Sequence, residues 1–202
     1  MLPDSSLSEN TSPLTNAPPS RSPLKIVLAT IAGLAVFFVV AGLAFVYSGT
    51  FDITATTPHS DAMYKTMLVV REQSIKSMAR DVKVPELDDP ERVHAGFLNF
   101  NAMCVTCHNA PGAAPSEISK GLYPEAPNLA QSVGGRTSAE LYMIIKHGIK
   151  MSGMPAWEPS HSGDEIWSMV AFLRTLPNMS DEEYQGAVKY YEAAGKSGDM
   201  HH

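Results

Sequence analysis

The chain has 202 residues, 44% of them hydrophobic, with two cysteines and a formal net charge of −6 at pH 7. That length supplies one core of ordinary size with appendages. The acidic balance excludes a basic nucleic-acid binder, and two thiols are too few for a cysteine-rich zinc site.

Residues 1–24 carry Pro3, Pro13, Pro18, Pro19 and Pro23 among Ser, Thr and Asn, and are predicted to form a disordered cytoplasmic tail. Residues 25–47 are the predicted transmembrane anchor. Ile26 to Val46 is a run of 21 residues without a charge, about the thickness of a bilayer's hydrocarbon when helical. Arg21 and Lys25 flank its start and no cation flanks its end, so the positive-inside rule keeps the tail in the cytoplasm. A secretory signal cleaved near Gly42-Leu43-Ala44 is the alternative. The apolar run exceeds the roughly 7–15 residues usual for a signal, and the stretch before it is a long n-region. Either reading exports the remainder. Asp4 and Glu9 balance Arg21 and Lys25, so the exported part carries the whole net charge of −6. Such a surface meets partners through a basic patch on their side.

Residues 48–87 read as a polar connector followed by an amphipathic helix. From Asp61 to Lys83 the apolar residues Met63, Tyr64, Met67, Leu68, Val70, Ile75, Met78, Ala79 and Val82 recur at a helical period, and Pro85 stops the run. Methionines at this spacing pack against a core or a partner subunit more often than they ligate metal.

Residues 88–178 are the predicted principal domain. Asp89 can cap a helix with Pro90 in its first position, and Gly96, Phe100 and Cys104 then recur every fourth residue on one face. This helix runs into Cys104-Val105-Thr106-Cys107-His108. Two thiols three residues apart on one turn can reach two neighbouring vinyl groups of a haem as thioethers, and His108 on the same turn can ligate the iron. A thioredoxin-like dithiol is the competing reading, but it normally lies beside a βαβ pattern, and no such strand pattern is visible.

Residues 109–130, with four prolines, read as an irregular wrapping loop. Thr137 to Glu140 is a capping box that opens a helix with Leu141, Ile144 and Ile145 on its apolar face, closed by Gly148. Next comes Gly153-Met154-Pro155-Ala156-Trp157, in which Met154 is the candidate second axial ligand. Met151, Met143 and His147 compete for that role, but only Met154 has the adjoining glycine and proline that shape a loop able to approach iron. Ser162 to Glu165 is a second capping box, and its helix ends before Pro177. Residues 179–202 form a C-terminal helix, opened by a third box at Ser180 to Glu183 and running to about Ala194, with a tail ending in His201 and His202. The exported part therefore reads all-α.

Taken together, these residues resemble the class I monohaem c-type cytochromes, in a membrane-anchored bacterial form. The resemblance implies an all-α cytochrome c fold around one covalent haem c, preceded by one transmembrane helix and an amphipathic helix. It implies that Gly96 lets the last helix cross closely, with Phe172 at its aromatic position. It further implies that Pro127, in Pro127-Asn128-Leu129, accepts the Nδ1 proton of His108 through its carbonyl, and that Met154 is the sixth ligand. Trp157 and Tyr123 either line the haem edge or pack in the core. Lys150 and Arg136 either neutralise propionates or are solvated. His59, His94 and His161 have no ligand spacing.

Iron held by His108 and Met154 has no open coordination site, so the expected chemistry is one-electron exchange rather than catalysis. The expectation is a single-pass protein of a bacterial inner membrane, with its haem domain in the periplasm. It would carry electrons between a quinol-oxidising complex or dehydrogenase and a terminal oxidase or reductase, and meet redox protein partners at the bilayer. A fixed cytochrome subunit of one respiratory complex, a haem sensor and a thiol-disulfide oxidoreductase are the alternatives.

Overall fold

A computed structural model describes residues 22–198, with side chains described as far as Tyr190. The predicted tail up to Arg21 and the pair His201 and His202 lie outside the described residues. The chain divides into two units between Asp52 and Ile53.

Among its described residues the first unit holds one helix, α1 (Pro23–Tyr47), with Pro23 in its first turn. Its 25 residues span roughly 37 Å at 1.5 Å per residue, and none of its side chains is buried. A helix that is apolar all round and long enough to cross a bilayer is compatible with a single-pass anchor.

The second unit is built of helices and connecting loops, with no strand among its described residues. Its helices are α2 (Asp61–Ala79), α3 (Pro90–Asn99), α4 (Val105–His108), α5 (Glu117–Gly121), α6 (Leu129–Ser132), α7 (Ser138–His147), α8 (Gly163–Thr175) and α9 (Asp181–Gly198). The all-α architecture read from the sequence is therefore the observed one.

Helices α3 and α8 cross at the centre of this unit. At their contact Gly96 is indispensable: a Cβ there would fall onto the carbonyl oxygen of Ser168 and stand 2.8 Å from Phe172 Cβ. Without a side chain at Gly96, Phe97 and Phe100 reach the ring of Phe172 at centroid distances of 5.5 and 5.1 Å. Helix α8 buries every side chain from Ile166 to Leu173 and forms the axis of the core. Its start is fixed as predicted, with Glu165 N donating to Ser162 Oγ and Ser162 N to Glu165 Oε2. The Thr137–Glu140 box is likewise formed at the start of α7, and Ser180 and Glu183 exchange the same pair of bonds ahead of α9.

Four elements differ from expectation. Helix α2 ends at Ala79 rather than Lys83, because the chain turns at Arg80 so that Val82 and then Leu87 point into the core. The helix leading to Cys104 is interrupted by a π-turn, Phe100–Cys104, closed by the bond from Val105 N to Phe100 O. The proline-rich loop contains α5 and α6. Ser116 caps α5 by accepting from Ser119 N at 2.9 Å, so a short helix fits between Pro115 and Pro124. Helix α9 continues to Gly198, beyond the predicted end near Ala194.

Candidate haem site

The site is assembled from the π-turn and α4 outward. Cys104 and Cys107 lie half-buried three residues apart, and burial, with Cys107 adding to it, pushes the Cys104 thiol up to about 12.

His108 sits at the end of α4 with Nδ1 2.8 Å from the carbonyl oxygen of Pro127. A carbonyl can only accept, so Nδ1 carries the proton and Nε2 is left as the basic nitrogen. Burial lowers the pKa of the ring, with the Pro127 bond acting in the opposite sense. A neutral imidazole with Nε2 unprotonated is the form that ligates a metal.

The loop after His108 is stitched to the Cys104–His108 segment by residues the sequence reading did not single out. Asn109 has φ +60 and ends α4. Its Oδ1 accepts from Ser116 N, and its Nδ2 donates to Ser119 Oγ, both at 3.1 Å. Ser116 Oγ in turn donates to the Thr106 carbonyl at 2.6 Å. The available signal was an asparagine directly after the histidine, a residue type that tolerates positive φ and bonds locally.

The Met154 loop is held from both ends. Gly148 closes α7 with φ +64, and a Cβ there would stand 2.6 Å from the Pro155 carbonyl carbon. Ile149 N donates to Met154 O, Met154 N to Ser152 Oγ, and Trp157 N to Ile145 O. Gly153 lies against Leu122, so the loop carrying Pro127 and the loop carrying Met154 touch beside the methionine. Met154 and Trp157 are half-buried against the same core that Met103, Cys104 and Val105 pack on.

The other sequence candidates lie elsewhere. Met151 is 75% exposed at the loop tip. His147 is exposed, with Nδ1 3.4 Å from Glu158 Oε2. His161 meets the Trp157 ring edge-on and bonds Ser160. Tyr123 Oη accepts from His59 N at 2.8 Å. Arg136 is engaged by Glu72 on α2 at 2.6 Å rather than solvated, and Lys150 is exposed.

These residues fit a haem. Two thiols and an imidazole with a basic Nε2 lie on one short run, a thioether sits in a fixed loop, and the surroundings are apolar. Among the described residues no three of His, Cys, Asp or Glu gather to hold a bare metal ion.

Comparison with known proteins agrees with this reading. Residues 91–173 match the family model described as cytochrome C oxidase, cbb3-type, subunit III. An 86-residue stretch is 30% identical to the quinohemoprotein alcohol dehydrogenase of Comamonas testosteroni, covering 43% of this chain and 11% of that protein. The segment from Glu91 to Leu173 is a c-type cytochrome domain of the class I kind. Such a domain implies a covalently bound haem c and a role in electron transfer, and with it redox partners.

Proposed function

We propose that this protein is a membrane-anchored cytochrome c whose haem domain faces the periplasm and passes single electrons between a quinol-oxidising complex or dehydrogenase and a terminal oxidase or reductase. Haem c supplies reversible one-electron exchange at its iron. The chain's own residues do the rest. Cys104 and Cys107 would hold the group covalently, and His108 would present Nε2 to its iron. Pro127 orients that ring and raises its basicity, while Met154 would offer the iron a soft thioether, which would favour the reduced state and raise the potential. Trp157 and the apolar core exclude water from the site. The observation that carries this reading is the 2.8 Å bond between His108 Nδ1 and the Pro127 carbonyl. It fixes the tautomer needed for ligation at the end of the one segment that holds both thiols.

The apolar helix α1 supports anchoring in the membrane of the partners, where tethering replaces free diffusion by a high local concentration. A second reading, a fixed cytochrome subunit of one respiratory complex, is favoured by the description of the matching family as an oxidase subunit. Gentle solubilisation of membranes followed by purification of the tagged chain separates the two. A carrier comes away alone, whereas a fixed subunit brings a stable partner in constant ratio.

A further inference from the structure

Helix α9 lies outside the segment matched by the family model, yet its first turns bracket the attachment segment on both sides. Tyr184 is fully buried and is the largest such side chain among the described residues. Its ring packs edge-on against Phe97 and Phe100, at centroid distances of 5.6 and 6.1 Å. Its hydroxyl donates to Asn101 Oδ1 at 2.9 Å, and Asn101 lies inside the π-turn, three residues before Cys104. One residue further along α9, Gln185 Nε2 donates to the Pro111 carbonyl at 3.1 Å, three residues after His108. The Asp181 side chain closes the same side: a Cβ on Gly112 would stand 2.9 Å from Asp181 Cβ.

A π-turn inserts one extra residue into a helix and re-aims the side chains that follow it. Here those side chains are Cys104, Cys107 and His108, so whatever holds the turn holds the geometry of attachment. A phenylalanine at 184 would fill the same apolar space. The hydroxyl is needed only to satisfy the Asn101 amide, which otherwise loses its partner inside the turn.

We propose that Tyr184 is a positioning residue for the haem: through Asn101 it locks the π-turn, and with Gln185 it makes α9 a clamp across the Cys104–His108 segment. This rests on the assignment of that segment to haem attachment. If wild type itself retains no haem after denaturation, that assignment fails before the clamp is tested.

The test uses the full-length, haem-loaded chain in detergent, with Tyr184→Phe, Asn101→Ala and the double variant. Two readouts are followed: amide hydrogen exchange resolved by segment, and the midpoint potential. The expected result is covalent haem in all variants, with exchange of residues 101–108 accelerated about two- to tenfold, as loss of one hydrogen bond allows. Exchange in α7 stays unchanged, the potential is displaced from wild type, and the double variant is no worse than the worse single one. Wild-type exchange and potential in both single variants would overturn the proposal. So would equal acceleration in α7, which marks a general loss of stability instead of a local lock. Should Tyr184→Phe fail to load haem, Asn101→Ala breaks the same bond from the half-buried side and decides the question by the same readouts.

Discussion

Gly96 on α3 and Ser168 on α8 meet backbone to backbone: a methyl group on Gly96 would overlap the Ser168 carbonyl oxygen. No side-chain rotation relieves such an overlap, so the two helices would have to separate. Gly96→Ala is therefore expected to destabilise the haem domain by about 3 kcal/mol or more, the upper end for overpacking. Denaturant unfolding of the haem-loaded protein measures this. A loss below about 1 kcal/mol would show that α3 and α8 can part without consequence.

Gly148 governs the Met154 loop in a comparable way. Its φ of +64 with ψ of −169 is a conformation open essentially to glycine alone. A Cβ there would also stand 2.7 Å from Met154 O and 2.6 Å from the Pro155 carbonyl carbon. Gly148→Ala should add roughly 1–3 kcal/mol of local strain and push the loop outward, while Cys104 and Cys107 still retain haem. Ferrous wild type should resist carbon monoxide and ferrous Gly148→Ala should bind it. Equal behaviour of the two in a carbon monoxide titration would show that the loop does not depend on this glycine.

The pair Glu72–Arg136 fastens α2 to the segment preceding α7. The Glu72 carboxyl is held down to about 2, chiefly by its bond to Arg136, with Arg71 adding. Since the folded value lies below the ordinary 4.5, the pair stabilises fully above that pH and its contribution fades as pH falls toward 2. Both partners retain solvent contact, so the benefit at neutral pH is about 0.5–1 kcal/mol after screening. Urea unfolding of wild type and Glu72→Gln should differ by that amount at pH 7 and by less at pH 3. A difference that grows on acidification would contradict the assignment.

Much of this arrangement is legible in the sequence because it depends on local chemistry. The caps at Asp89, Thr137, Ser162 and Ser180 each rest on residues no more than three apart, and all four form. The pattern Cys104 to His108 is equally local. What sequence alone does not show depends on contacts between distant segments. The break at Phe100–Cys104 is supported by Tyr184, more than eighty residues away, and no periodicity reveals it. The early end of α2 follows from Val82 and Leu87 turning into the core. Arg136 reads as a solvated charge or a propionate partner until α2 brings Glu72 to it. Prolines at 111, 115, 124 and 127 suggest an irregular loop, and only the bonds from Ser116 to Thr106 and Ser119 show how α5 fits within it.

Cys104, Cys107, His108 and Met154 are proposed to hold one haem between them. The most direct test is the absorption spectrum, ferric and ferrous, of wild type and Met154→Ala, each also recorded after denaturation. Haem should stay with the chain on denaturation in both proteins. Wild type should give a low-spin six-coordinate spectrum, and Met154→Ala should lose that state and gain carbon monoxide binding. Haem released by denaturation, or a Met154→Ala spectrum identical to wild type, would contradict this assignment.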